Sequence, residues 1–299
     1  MNVNFMRGSP LFGIALAAFG ALAITPDTLL MRLSEMDSWS MLVWRGLEMG
    51  SVMLLIWFFT SNNHRNDVKN LRHFSGLGAL FCQIVSGTCF TLAIGETSVA
   101  MVLLCLATSP IFAAIFSKIL LKEPIFSSTW ITMLICFFGV AIAVFDSSNV
   151  PILVGQGSGS IVAGVIFSLL ASIFLGANFV FLRMNKKISI FLIAGIAGIF
   201  SGLIALLIVD TNLLFKGNIF IISVTGLLIL PISFAAINIA TRYTQAPNIS
   251  LLMLLETIIG PFWVWIGVGE KISIQMMFGG LIVIISLAFY IFHLSRKKS

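Results

Sequence analysis

The sequence predicts an all-α integral membrane protein of ten transmembrane helices, arranged as two inverted five-helix repeats. Three observations carry this: the composition, a succession of apolar stretches, and internal similarity at a nearly fixed offset. Of the 299 residues, 59% are hydrophobic and 9% charged, whereas a soluble domain is roughly half apolar and about a quarter charged. The mean hydropathy is +1.09. Such a composition excludes a soluble enzyme, a disordered chain and a nucleic-acid binder. The net charge of +6 comes from basic residues scattered over an apolar chain, a pattern that speaks of topology and not of a nucleic-acid partner. Cys82, Cys89, Cys105 and Cys136 all sit inside apolar runs, so no disulfide framework is expected.

Crossing a bilayer takes roughly 20 residues of helix, and ten stretches of that order can be marked. They lie near 11–33, 39–60, 73–93, 98–120, 128–146, 159–182, 189–209, 218–241, 248–268 and 272–293. In lipid the backbone must satisfy its own hydrogen bonds, which apolar runs of this length do as helices. The first span does not read as a cleaved signal peptide: it is too long, it contains Pro26 and Asp27, and nine similar stretches follow. Polar breaks such as 61–70 and 185–187 separate the later spans.

Lysine and arginine set the orientation. With the N-terminus inside, the inner segments carry Arg7, Arg65, Lys69, Arg72, Lys118, Lys122, Arg183, Lys186, Lys187, Arg242, Arg296, Lys297 and Lys298. The outer loops carry Arg32, Lys216 and Lys271, and Arg45 lies within the second span. The expectation is a multi-pass protein of the cytoplasmic (inner) membrane with both termini cytoplasmic.

Internal similarity adds the next level. Ile24–Arg32 (ITPDTLLMR) matches Leu175–Arg183 (LGANFVFLR) at an offset of 151, and Ala93–Ala100 matches Ala240–Pro247 at 147. The offset of 147 also sets Glu123 on Glu270, each just past an apolar span. The chain therefore divides into a first repeat, 1–147, an external Gly/Ser-rich linker, 148–158, and a second repeat, 159–299. Five spans is an odd number, so the second copy enters the membrane from the opposite side. Inverted repeats of this kind are a hallmark of carriers that work by alternating access, with the binding site near the midplane.

These features resemble the drug/metabolite transporter superfamily, EamA type. The matching residues are Arg45 in WRGLE, Ser109-Pro110 running to Leu121-Lys122-Glu123, the ninth-span run LLETIIGPFWVWIGVGEKIS, and Gly279 and Gly280 after it. The resemblance implies ten helices in two repeats and transport of a solute, without specifying which one. It departs from a strict repeat where Thr257 stands in the place of Pro110, with Pro261 one turn later.

Ionisable side chains inside a span are costly and default to functional hypotheses. Asp27 follows Pro26, which lacks a donor and so is expected to leave a carbonyl free for a cation or proton; the plainer reading is a helix end at the interface. Arg45 and Glu48 share one face of the second span, either as a structural ion pair or as a lining that grips a zwitterion. Glu256 lies near the midplane with no basic neighbour in sequence, which suits a proton or cation site unless it pairs with Arg45. Gln83, Asn178 (the repeat partner of Asp27) and Asn238 could line the cavity or bond between helices. Pro26, Pro110 and Pro261 are the candidate gating positions. Trp44, Trp263 and Trp265 fit an interfacial belt, and Gly195, Gly198 and Gly202 a close-packing stripe.

Gly155–Gly159 (GQGSG) mimics a phosphate-cradling loop, but no strand precedes it, and His64, His73 and His293 are too dispersed for a metal site. No cofactor and no metal are expected. Taken together, the residues point to a secondary carrier and not an enzyme, with small-molecule solute, membrane lipid and protons as partners. Asp27, Glu48 and Glu256 against Arg45 leave a net negative interior, which favours an amino acid, amine or related zwitterion or cation over a sugar phosphate. The solute is expected between the second, third, eighth and ninth spans. Closure is expected at Pro26/Asp27 on the outside and at Asn178 on the inside. The rivals are a carrier of another solute class, a channel, and an integral-membrane enzyme, the last wanting clustered interfacial ligands that are missing.

Overall fold

The computed structural model describes residues 10–97, 99–145, 160–268 and 274–296. The proposed linker, 148–158, and Glu270 lie outside them. All ten spans are present and helical. Seven are long enough and apolar enough to cross a bilayer, and three shorter apolar helices over Ser109–Leu121, Ser127–Gly139 and Met277–Tyr290 belong to the other three. The second, third, fifth, sixth, seventh, ninth and tenth spans are Ser38–Thr60, Phe74–Glu96, Ser127–Phe145, Ile161–Met184, Ile190–Ile208, Ala246–Val268 and Ile274–Arg296. Polar side chains start several of them by accepting the otherwise unbonded first-turn N–H groups. Asp37 accepts from Trp39 and Ser40, Ser160 from Ala163, Ser189 from Leu192.

Three spans are interrupted. The first is Pro10–Ile24 and Asp27–Leu33, broken at Thr25-Pro26. The fourth is Val99–Leu106 and Ser109–Phe116, extended by a π-helical turn Ser117–Leu121. The eighth carries a π-helical turn, Thr225–Ile229, between Ile219–Val224 and Leu230–Ala240. That wider turn ends just before Pro231, whose ring cannot accept a regular helical turn ahead of it. The break expected at 61–70 contains a short polar helix, His64–Leu71, capped by Asn63 and tied down where Asp67 accepts from Trp57 Nε1 (2.8 Å) and Ser61 Oγ (2.7 Å).

The packing obeys the repeat. The second span packs on the seventh and the fifth on the tenth; the third packs on the sixth just as the eighth packs on the first. Exchanging the two repeats maps this set of pairs onto itself, as a pseudo-two-fold axis in the membrane plane requires. Glycines set the closest approaches. A Cβ on Gly46 would stand 2.8 Å from the Gly198 carbonyl oxygen, and one on Gly198 would stand 2.8 Å from that of Gly46. The stripe expected on the seventh span is thus a backbone-to-backbone seam against the second. Large apolar side chains such as Phe59, Phe81, Leu207 and Phe220 face outward, where the acyl chains would be.

Candidate functional site

Where the two repeats meet, the bundle encloses a cavity with about 950 Å³ of empty space, counted out to its mouth. The expected four spans contribute Leu42, Arg45, Gly46 and Met49 from the second; Gln83, Ser86 and Phe90 from the third; Leu230 and Phe234 from the eighth; Met253 and Glu256 from the ninth. The first, fourth, sixth and seventh spans complete the wall with Ile24 and Asp27, Leu106, Phe179, and Ala197 and Gly198. Most of this lining is apolar, with the charged groups gathered on the first, second and ninth spans.

Asp27 opens the second half of the broken first span and is fully buried (0% exposed), facing Arg45 at 5%. The two form a bidentate pair: Arg45 Nη1 donates to Asp27 Oδ1 at 2.9 Å and Nη2 to Oδ2 at 2.8 Å. Arg45 therefore answers to Asp27, not to Glu48 three residues along its own helix. The carbonyl that Pro26 deprives of a donor is that of Leu22, and it is not left free. The Thr25 hydroxyl donates to it at 2.8 Å, and the Thr25 N–H at 3.3 Å. Trp263 Nε1 in turn donates to Thr25 Oγ1 at 2.9 Å, so the ninth span braces the break. Trp44 Nε1 donates to the Leu214 carbonyl at 3.0 Å. These two tryptophans are engaged with protein and not only with an interface.

Glu256 lines the same cavity. Its residue is 3% exposed, and its Oε1 has no hydrogen-bond partner among the described residues. Burying a carboxylate oxygen unpaired is expensive, and a proton or a cation at this atom would relieve that cost. Gln83 Oε1 accepts from Asn178 Nδ2 at 2.8 Å, joining the third and sixth spans; Gln83 lines the cavity while Asn178 stands behind it. Glu48 and Asn238 are absent from the lining. Glu48 Oε1 accepts from the Ser223 hydroxyl on the eighth span, and Gly226 in the π-turn is what lets that span come so close. Asn238 is buried, and its Oδ1 has no hydrogen-bond partner among the described residues. Pro110 sits in the first turn after the break in the fourth span. Pro261 lies within the uninterrupted ninth span, so the parallel between the two prolines does not extend to the backbone.

One group of contacts was not anticipated. At one end of the bundle, Arg183 Nε donates to both oxygens of Glu123 (2.9 and 3.1 Å), and Nη2 lies 2.8 Å from Oε1. Nη1 reaches the carbonyls of Thr241 (3.2 Å) and Thr244 (2.7 Å) in the turn between the eighth and ninth spans. This latch fastens the end of the fourth span, in the first repeat, to the second repeat. At the opposite end Arg32, the repeat partner of Arg183, donates to the carbonyl of Thr97, the repeat partner of Thr244, at 3.1 Å. The signal was in the sequence: both arginines and Glu123 are landmarks of the repeat, and conserving a charge through an internal duplication marks a contact. The cavity's aromatic wall carried no such signal, because a phenylalanine facing a cavity and one facing another helix look alike in a span.

The profile of the EamA-like transporter family matches residues 11–145 and again 162–292. An uncharacterized transporter of Clostridium kluyveri is 27% identical over 217 residues, covering 70% of this chain and 68% of its own length. A solved crystal structure at 12% identity superposes with a TM-score of 0.73, covering 94% of this chain and 98% of that one, a likeness of fold. With a match in each half and ten helices in two inverted repeats, the chain belongs to the EamA-like transporter family.

Proposed function

We propose that the chain is a secondary carrier of the cytoplasmic membrane, with both termini inside, that moves a small organic solute by alternating access. The solute is an amino acid, an amine or a related zwitterion or cation, and transport is coupled to proton exchange. The observation that carries this reading is the unpartnered Glu256 Oε1 in the wall of a cavity shared by both repeats. The two repeats, 1–147 and 159–299, would rock about the seam of the second and seventh spans. The Arg183–Glu123 latch would hold the inner side shut while the outer side opens. Asp27, Arg45, Gln83 and Glu256 would face the solute, Asn178 would orient Gln83, and Glu48 and Asn238 would act from behind the wall. The breaks at Pro26 and Pro110 supply the hinges; Pro261, in an unbroken helix, would serve as a stiff element of the ninth span. A sugar phosphate fits poorly, since the guanidinium in the lining is already paired.

The test is counterflow in proteoliposomes loaded with unlabelled amino acids or amines, with and without a pH gradient. A carrier gives saturable counterflow that the gradient accelerates, and Glu256→Gln removes the acceleration. Flux that neither saturates nor shows counterflow would mean a channel and sink the reading.

A further inference from the structure

We propose that the cavity selects organic cations that lack a carboxylate: a protonated or quaternary amine on an apolar body, its nitrogen at Glu256. This rests on the carrier reading and narrows its solute.

A zwitterion needs two partners at once, a carboxylate for its ammonium and a cation for its carboxylate. Arg45 is the basic side chain in the lining, and both of its Nη atoms are held by both oxygens of Asp27. A planar fork facing a planar carboxylate is the strong geometry for this pair. Drawing Arg45 off toward a solute would leave a fully buried Asp27 uncompensated, the costly half of any broken buried ion pair. The guanidinium is therefore spoken for. What the cavity offers instead is an acceptor, Glu256 Oε1, buried and without a donor among the described residues. Asp27 and Arg45 cancel, so Glu256 in its deprotonated form gives the lining one negative charge in excess. A single cation neutralises that charge; a zwitterion leaves it in place and adds a carboxylate that the lining meets only with neutral donors such as Gln83, its guanidinium being taken.

The rest of the wall suits the body of such a solute. Phe90, Phe179, Phe234, Met49, Leu106 and Met253 line the same cavity as the charged cluster, from six spans. Aromatic faces attract an ammonium group as well as a hydrocarbon.

The experiment uses matched probes on the purified full chain: phenylethylamine and phenylalanine, which differ by the carboxylate, and benzyltrimethylammonium, which has no N–H. A ligand that binds the folded state raises its melting temperature by mass action. The two amines should raise it in a concentration-dependent way, and phenylalanine at equal concentration should not. Glu256→Gln should weaken amine binding by tenfold or more. Asp27→Asn, which releases Arg45, should create a response to phenylalanine that wild type lacks. Phenylalanine binding wild type as tightly as phenylethylamine would overturn the inference, as would an amine response that survives in Glu256→Gln or no response to either amine. Should either variant fail to fold, the matched pair on wild type decides. Counterflow separates the two readings: counterflow of phenylalanine without amines would overturn this inference and leave the carrier standing. Amine binding with no counterflow of any probe would keep the site and remove the carrier.

Discussion

At the scale of single residues, Asp27 and Arg45 decide the character of the interior. Buried ion pairs are poor contributors to net stability, yet removing one partner strands a charge and costs about 3–5 kcal/mol, whereas replacing both by apolar groups is often harmless. Arg45→Met should therefore lower the unfolding free energy by about 3–5 kcal/mol, and Asp27→Leu combined with Arg45→Met should restore most of it. Denaturant titration in detergent would measure both; a double variant as unstable as the single one would show that packing, and not charge, is at stake. The sequence made these residues visible, because a charge inside a span stands out, but it could not pair them. Glu48 is the nearer candidate along the helix, at a spacing that suits surface pairs. In a bundle the better geometry wins, and Asp27 sits on a neighbouring helix whose break at Thr25-Pro26 turns its carboxylate squarely onto the fork.

The elements themselves were legible because lipid permits so few alternatives. An apolar run must be a helix, and the observed ends depart from the expected ones by at most three residues, as at Glu96 against 93 and Arg296 against 293. What hydropathy could not show were the interruptions, since two residues such as Thr25-Pro26 or Ala107-Thr108 barely lower the average over a span, and the π-turn at Thr225–Ile229 is largely apolar. The glycine seam between the second and seventh spans was half visible, one stripe without its partner. Its role is open to a direct comparison. Gly46→Ala would press a methyl against the Gly198 carbonyl oxygen at 2.8 Å, and overpacking of this kind costs about 1–3 kcal/mol. Gly87 lies in an equally apolar helix, but a Cβ there would meet nothing within 4 Å, so Gly87→Ala should be neutral or slightly stabilising. Equal stabilities for the two variants, measured by thermal denaturation, would mean that the seam is not closely packed.

At the scale of the whole molecule, the same contacts recur at both ends in a relation that the repeat dictates. Arg183 grips the Thr244 carbonyl at one end and Arg32 the Thr97 carbonyl at the other, so the chain holds two copies of one fastening, one for each face. In the proposed alternating-access cycle, two such copies would let the faces exchange states by one mechanism. At the Arg183 end, the inner one in the proposed orientation, the fastening includes Glu123, which crosses from the first repeat to the second. Removing that charge should loosen the inner side alone. Hydrogen bonds to charged groups are worth about 1.5–3 kcal/mol, and about 1.4 kcal/mol is a factor of ten in population, so Glu123→Gln should raise the inward-open population roughly tenfold or more. A cysteine at Phe179, in the cavity wall on the inner half of the sixth span, reports that population once the four buried native cysteines are replaced. Its labelling by an impermeant maleimide from the cytoplasmic face should accelerate in Glu123→Gln by a similar factor, while labelling at Leu42→Cys from the outer face should slow. If both rates stay as they were, the Arg183–Glu123 contact fastens nothing that moves, and the proposed rocking of the two repeats loses its latch.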